Sequence, residues 1–227
     1  MEPLFRLKQP EVQARIPRSV MKKIISRLKY LDEGIKRVER AADLKYPPYY
    51  IEPFLPVMSS ELEPSQIGVV YARTLPLQLD EILQIVVQIT AALITYGSKA
   101  TIHAVLAHEF LHYASLVKQF SSKEMLSSEL TSSMFETVYM DTSGLSHLER
   151  IYKDRSLRRL LKRKFSDGLV DEKLHEKVLK HWLAKGLPTI RLTPDSNVIK
   201  LPIHSILNLR FDQSLLIKLE ELEERSR

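Results

Sequence analysis

Val105–Ala114, VLAHEFLHYA, sets three ionisable side chains, His108, Glu109 and His112, in a stretch otherwise built of Ala, Val, Leu, Phe and Tyr. No Asp, Glu, Lys or Arg occurs from Thr101 to Ala107, and neither Gly nor Pro interrupts Thr101–Phe120. The segment therefore reads as a buried helix. Burying an unpartnered polar group costs roughly 2–7 kcal/mol, and an unpaired ion costs more. The three groups must be paired, hydrogen-bonded or bound to a metal, and any fold for this chain has to supply those partners.

Ligand geometry favours the metal. Residues four apart on a helix share one face, with Cβ atoms about 5–6 Å apart, so both imidazoles can reach one ion. Zinc accepts such nitrogens at about 2.0–2.1 Å. Glu109 is turned about 100° from His108, beside the ion, where a base can take a proton from an activated water. The chain has no cysteine, which removes disulfides, thiolate zinc sites, iron–sulfur clusters and thiol nucleophiles. A metal here is held by histidine and carboxylate.

The His108–Glu109–Phe110–Leu111–His112 motif in its apolar helix resembles the zincin metallopeptidases, and VLAHEFLHYA matches the extended form of their HExxH signature at every position. The resemblance covers roughly residues 65–142. It implies one Zn²⁺ ion held by His108 and His112, with Glu109 as general base, and a peptide or protein substrate. A catalytic zinc needs a third protein ligand and an open position for water. Ser115 and Lys118 stand where metzincins require Gly and His, and the histidine that SprT-like proteases place soon after the motif would have to be His147, far downstream. Gluzincins use a glutamate of the following helix, where Glu124, Glu129 and Glu136 are available. Glu129 in SSELTSSMFE is the first choice, Glu136 is the alternative, and Glu124 has the spacing of a capping-box partner for Ser121. Tyr113, Tyr139 and His147 are candidate donors to an oxyanion. In zincins an edge strand receives substrate, and IGVVYA, Ile67–Ala72, is the candidate for it.

Around the motif, the spacing of apolar residues predicts helices over Pro17–Ala42, Asp80–Tyr96, Ser98–Phe120, Ser121–Asp141, Asp171–Lys185 and Gln213–Glu224. Two or three short strands are expected between Tyr46 and Pro76, and a hairpin around Pro194–Asn197. Ile82–Tyr96, the most apolar run, is shorter than the roughly 20 residues of a bilayer span. The first twenty residues lack a signal-like apolar core, so a cytoplasmic location is expected. Together these readings predict an α+β protein, predominantly helical. A zincin-like core would occupy residues 1–145, with a small N-terminal sheet, the motif helix and a glutamate helix, and residues 146–227 would form a basic helical extension packed on it.

Charge is concentrated. Arg150, Lys153, Arg155, Arg158, Arg159, Lys162, Arg163 and Lys164 face only Asp154 within Arg150–Lys164, in a chain whose formal net charge is +6. Ile151, Leu157, Leu160, Leu161 and Phe165 recur at helical spacing, which makes the strip a packed helix with a cationic outer face. The alternative is contact with phosphates, in a nucleic-acid- or ribosome-associated binding protein built on the same scaffold. His103, His175, His181 and His204 read as structural.

Overall fold

The computed structural model describes residues 2–59, 67–79, 82–121, 134–138, 148–165, 168–193, 198–202, 205–206 and 209–224. It is an α+β fold, mostly helical, with small sheets. A short helix α1 (Pro10–Arg15) leads into α2 (Arg18–Ala42), which starts at Pro17 and ends where Asp43 turns into the left-handed region at φ 55°. Four strands follow: β1 (Tyr49–Glu52), β2 (Leu55–Ser59), β3 (Ile67–Val69) and β4 (Ala72–Leu79).

The expected helix over Asp80–Tyr96 is overturned for most of its length. Ile82–Thr90 is a strand, β5, and only Ala91–Tyr96 is helical, α3, with Thr90 accepting from the Leu93 amide. β5 is central in its sheet, parallel to β1 and antiparallel to β4. A strand covered on both faces reads as a continuous apolar run, and Ile, Val and Thr fill six of its nine positions, which favours the pleat over the helix. Gln88, a break in that run, sits within the sheet: its amide donates to Glu52 at 2.9 Å and to the Tyr50 hydroxyl at 2.7 Å, and its carbonyl accepts from Arg73 at 2.5 Å.

The motif helix α4 (Lys99–Ser121) starts where the Ser98 hydroxyl accepts from the Thr101 amide. Further on come strand β6 (Met134–Val138), a 3-10 turn at Leu148–Ile151, and helices α5 (Arg155–Lys164) and α6 (Glu172–Val178), the last continued as a π-turn over Leu179–Leu183. The chain then forms β7 (Thr189–Arg191), β8 (Val198–Pro202) and α7 (Gln213–Glu224).

Two further expectations are corrected. The helix predicted over Ser121–Asp141 is a strand at β6, where Phe135, Thr137 and Val138 suit a pleated surface. The predicted hairpin is not formed either, because its two arms join different sheets. β7 runs parallel to β2, and β8 runs antiparallel to β6.

One apolar cluster draws residues from Leu7 through Leu219, with α4 at its centre between α2, the β4–β5 face, α5 and α7. No described helix is long and apolar enough to cross a membrane. α2 and α4 pack closely at Gly34, where an added Cβ would lie 2.5 Å from Leu106 Cδ1 and 2.9 Å from His103 Cδ2. Leu106 is fully buried and has no room to yield. Gly34→Val is therefore expected to destabilise the protein by about 2 kcal/mol despite its better helix propensity, read as a lower urea midpoint at unchanged slope.

Candidate metal centre and cleft

α4 is buried on every side from Thr101 to His112. Two tyrosines, Tyr152 buried and Tyr46 partly buried, grip it immediately ahead of the motif. Tyr46 Oη donates to the Leu106 carbonyl at 3.0 Å, and Tyr152 Oη to the Ala107 carbonyl at 2.6 Å. Burial drives both hydroxyls well above the ordinary tyrosine range, so they remain donors. Their rings flank Phe110 at 6.0 and 6.1 Å. The helix is fixed in rotation as well as position, which decides where the motif points.

His108 Nε2 and His112 Nε2 stand 3.1 Å apart, with both rings buried. The His108 ring stacks on Phe165, centroids 3.9 Å apart and planes 10° off parallel. Phe165 closes α5, so the end of the basic strip sets the orientation of a motif histidine. Glu109, also buried, faces β4, where Thr74 Oγ1 lies 2.8 Å from Glu109 Oε2 and 3.0 Å from the Glu109 carbonyl oxygen. One hydroxyl proton serves both acceptors.

A cavity of about 760 Å³ opens on His108 and Glu109. Its walls include Gly68–Arg73, Val105, Phe165, Leu169, Val170 and Leu192, together with Asp171, Glu172, His175 and Glu176 from the start of α6. The IGVVYA run thus borders the motif, though it divides between two sheets. Ile67–Val69 is β3 at the edge of the β3-β2-β7 sheet, and Ala72 begins β4 at the edge of the β1-β5-β4 sheet. Asp171 caps α6 and accepts from Lys164 at 2.8 Å and from Thr101. Burial pushes its carboxyl up, and these donors more than offset that, so it titrates below the usual carboxylate value.

The other sequence-assigned residues divide. Glu124, Glu129, Tyr139, His147 and His204 lie outside the described residues. Glu136 lies on β6, opposite Lys200, and not on a return helix. Among the described residues no group of three metal-ligating side chains is assembled. Tyr113 packs its ring 6.0 Å from Phe110 and is not part of the cavity wall. His175, read as structural, lines the cavity. Of the strip, Lys153 pairs with Asp43 and Lys164 with Asp171, while Arg158 Nε is buried without a hydrogen bond among the described residues. Arg155, Arg159, Lys162 and Arg163 are exposed along one face of α5, and Arg150 is exposed ahead of it.

Three residues escaped the sequence reading: Thr74, Phe165 as a stacking partner, and Tyr71. Tyr71 lines the cavity, and its hydroxyl is buried with no hydrogen-bond partner among the described residues. Burial and the Asp171 carboxylate hold it protonated far up the pH scale. Nothing in the sequence distinguishes these side chains from ordinary packing residues. Comparison of the chain with protein-family models, curated proteins and solved structures finds no match in any of the three.

Thr74→Val keeps the side-chain shape and removes the donor to a buried carboxylate. The expected loss is about 1–3 kcal/mol of unfolding free energy, measurable by chemical denaturation.

Proposed function

We propose that this chain is a zinc-dependent peptidase of the gluzincin-like zincin type, with Glu109 as general base. The observation that carries the reading is the pair of imidazole nitrogens 3.1 Å apart beside a buried glutamate at the wall of a cleft. Two nitrogens at about 2.0–2.1 Å from one tetrahedral zinc stand roughly 3.3 Å apart, so His108 and His112 fit one ion with little ring movement. Glu129 is proposed as the third ligand, with Glu136 as the alternative. Bound there, zinc supplies the positive charge that lowers the pKa of a water toward about 7 and polarises a carbonyl.

The chain's own groups do the rest. Glu109, steadied by Thr74, takes the proton of the attacking water and passes it to the leaving amine. Tyr71, protonated and unpartnered among the described residues, donates to the developing oxyanion. The main chain of Gly68–Arg73 offers an edge along which a peptide can extend. Val69, Val70, Val105, Phe165 and Leu169 make the adjoining wall apolar, which suits a large apolar side chain beside the scissile bond.

Purified protein is expected to carry about one equivalent of zinc, and Glu109→Gln should retain it while peptide hydrolysis falls by about 10²–10⁴-fold. Zinc below about a tenth of an equivalent after mild preparation would sink the reading. Tyr71→Phe is expected to lower kcat by about 10²–10³-fold with zinc content unchanged. A normal kcat in that variant removes Tyr71 from the mechanism.

A further inference from the structure

A second cavity, about 350 Å³, lies on the far side of α6 from the cleft, between α2, the end of α3 and the π-turn. Its chemistry differs from that of the largely apolar first cavity, whose wall carries several carboxylates. Lys23 and Arg27 reach it from α2, Lys177 from the end of α6, and His181 and Lys185 from the turn beyond. Four full cations and an imidazole thus line one depression with no carboxylate among them.

The contrast with other cations is specific. Arg6 meets Glu52, Arg37 meets Asp154, Lys99 meets Glu33 and Lys164 meets Asp171. Lys23, Lys177 and Lys185 have no ion pair among the described residues. Burial, then Arg27 and Lys177, push the Lys23 ammonium below its ordinary value. Burial, then a group of lysines led by Lys185, do the same to His181. In both cases the neighbouring charges that act are all positive.

Three of these five groups are also held in place. Arg27 Nε donates to the Ile94 carbonyl at 2.6 Å and a terminal nitrogen donates to the Gly97 carbonyl, which anchors the guanidinium at the end of α3. Lys23 Nζ lies 4.7 Å from the centre of the Tyr96 ring. His181 stacks on the same ring, and Tyr96 Oη donates to the His181 carbonyl at 3.1 Å. A set of like charges, anchored at Arg27, Lys23 and His181, around a cavity at the small end of the ligand-site range suits the opposite charge.

We infer that the cavity bounded by Lys23, Arg27, Lys177, His181 and Lys185 binds a compact phosphate-bearing anion, of the size of a diphosphate or triphosphate group. Phosphate oxygens accept charge-assisted hydrogen bonds from lysine and arginine together, and one such group can reach cations from three separate elements. The site is independent of the peptidase reading.

The test is calorimetric titration of the full chain with inorganic pyrophosphate at low and moderate salt. The expected result is saturable one-to-one binding that weakens as salt rises. Lys177→Ala combined with Lys185→Ala should lower affinity at least tenfold, and Arg159→Ala combined with Lys162→Ala on α5 should leave it unchanged. All four side chains are exposed, and an unchanged melting temperature without ligand confirms that each variant is folded. No saturable binding by the native protein, undiminished binding by the Lys177/Lys185 variant, or equal loss in the α5 variant would overturn the proposal. So would tighter binding of a single-stranded oligonucleotide through Lys177 and Lys185, which would assign the surface to an extended polyanion.

Discussion

Burying a helix on all sides penalises each polar group that its neighbours leave unanswered, and α4 carries three between His108 and His112. The neighbours' chemistry follows from that demand. Thr74 lies between Arg73 and Leu75 on β4 and reaches Glu109. Tyr46 precedes α4 in sequence and Tyr152 follows it, and they set their hydroxyls on consecutive carbonyls of that helix. Phe165 lays its ring along His108. The result fixes the helix that carries the two imidazoles, the preorganisation that the proposed metal centre would need.

Periodicity made the long helices legible. α2 and α7 follow their apolar spacing closely, and Ser98 and Gly186 mark ends that local chemistry defines. The pattern failed at Ile82–Thr90, where a strand buried on both faces and a core helix share one signature, and β-branched content should have decided between them. It failed again at Thr189–Pro202, because turn residues say that the chain bends and not which sheet receives each arm. Two of the three ligands in the proposed zinc site, His108 and His112, are legible in the sequence because both lie on one helix. Thr74, Tyr71 and Phe165 were not, because they join the site through tertiary packing.

α6 stands between two cavities of different character. Its first turn presents Asp171, Glu172, His175 and Glu176 to the cleft beside the motif, while Lys177 and the π-turn carrying His181 face the cationic depression. The segregation follows from helical spacing, with Leu174 and Val178 buried between the two faces.

The pairing of β7 with β2 has a kinetic meaning. Leu55 is in register with Thr189, so most of the chain separates the two strands, and the pair is parallel. Trp182 Nε1 donates to the Pro188 carbonyl, and the Leu55 amide donates to that same oxygen. Closing so long a loop costs entropy before the contact returns any free energy, and parallel pairings of this separation form late and slowly. Until then β2 has only β3 beside it, and its other edge is exposed to adventitious strand partners. During folding the chain is therefore exposed to misassembly at β2, whose Met58 lines the same cavity as His108 and Glu109.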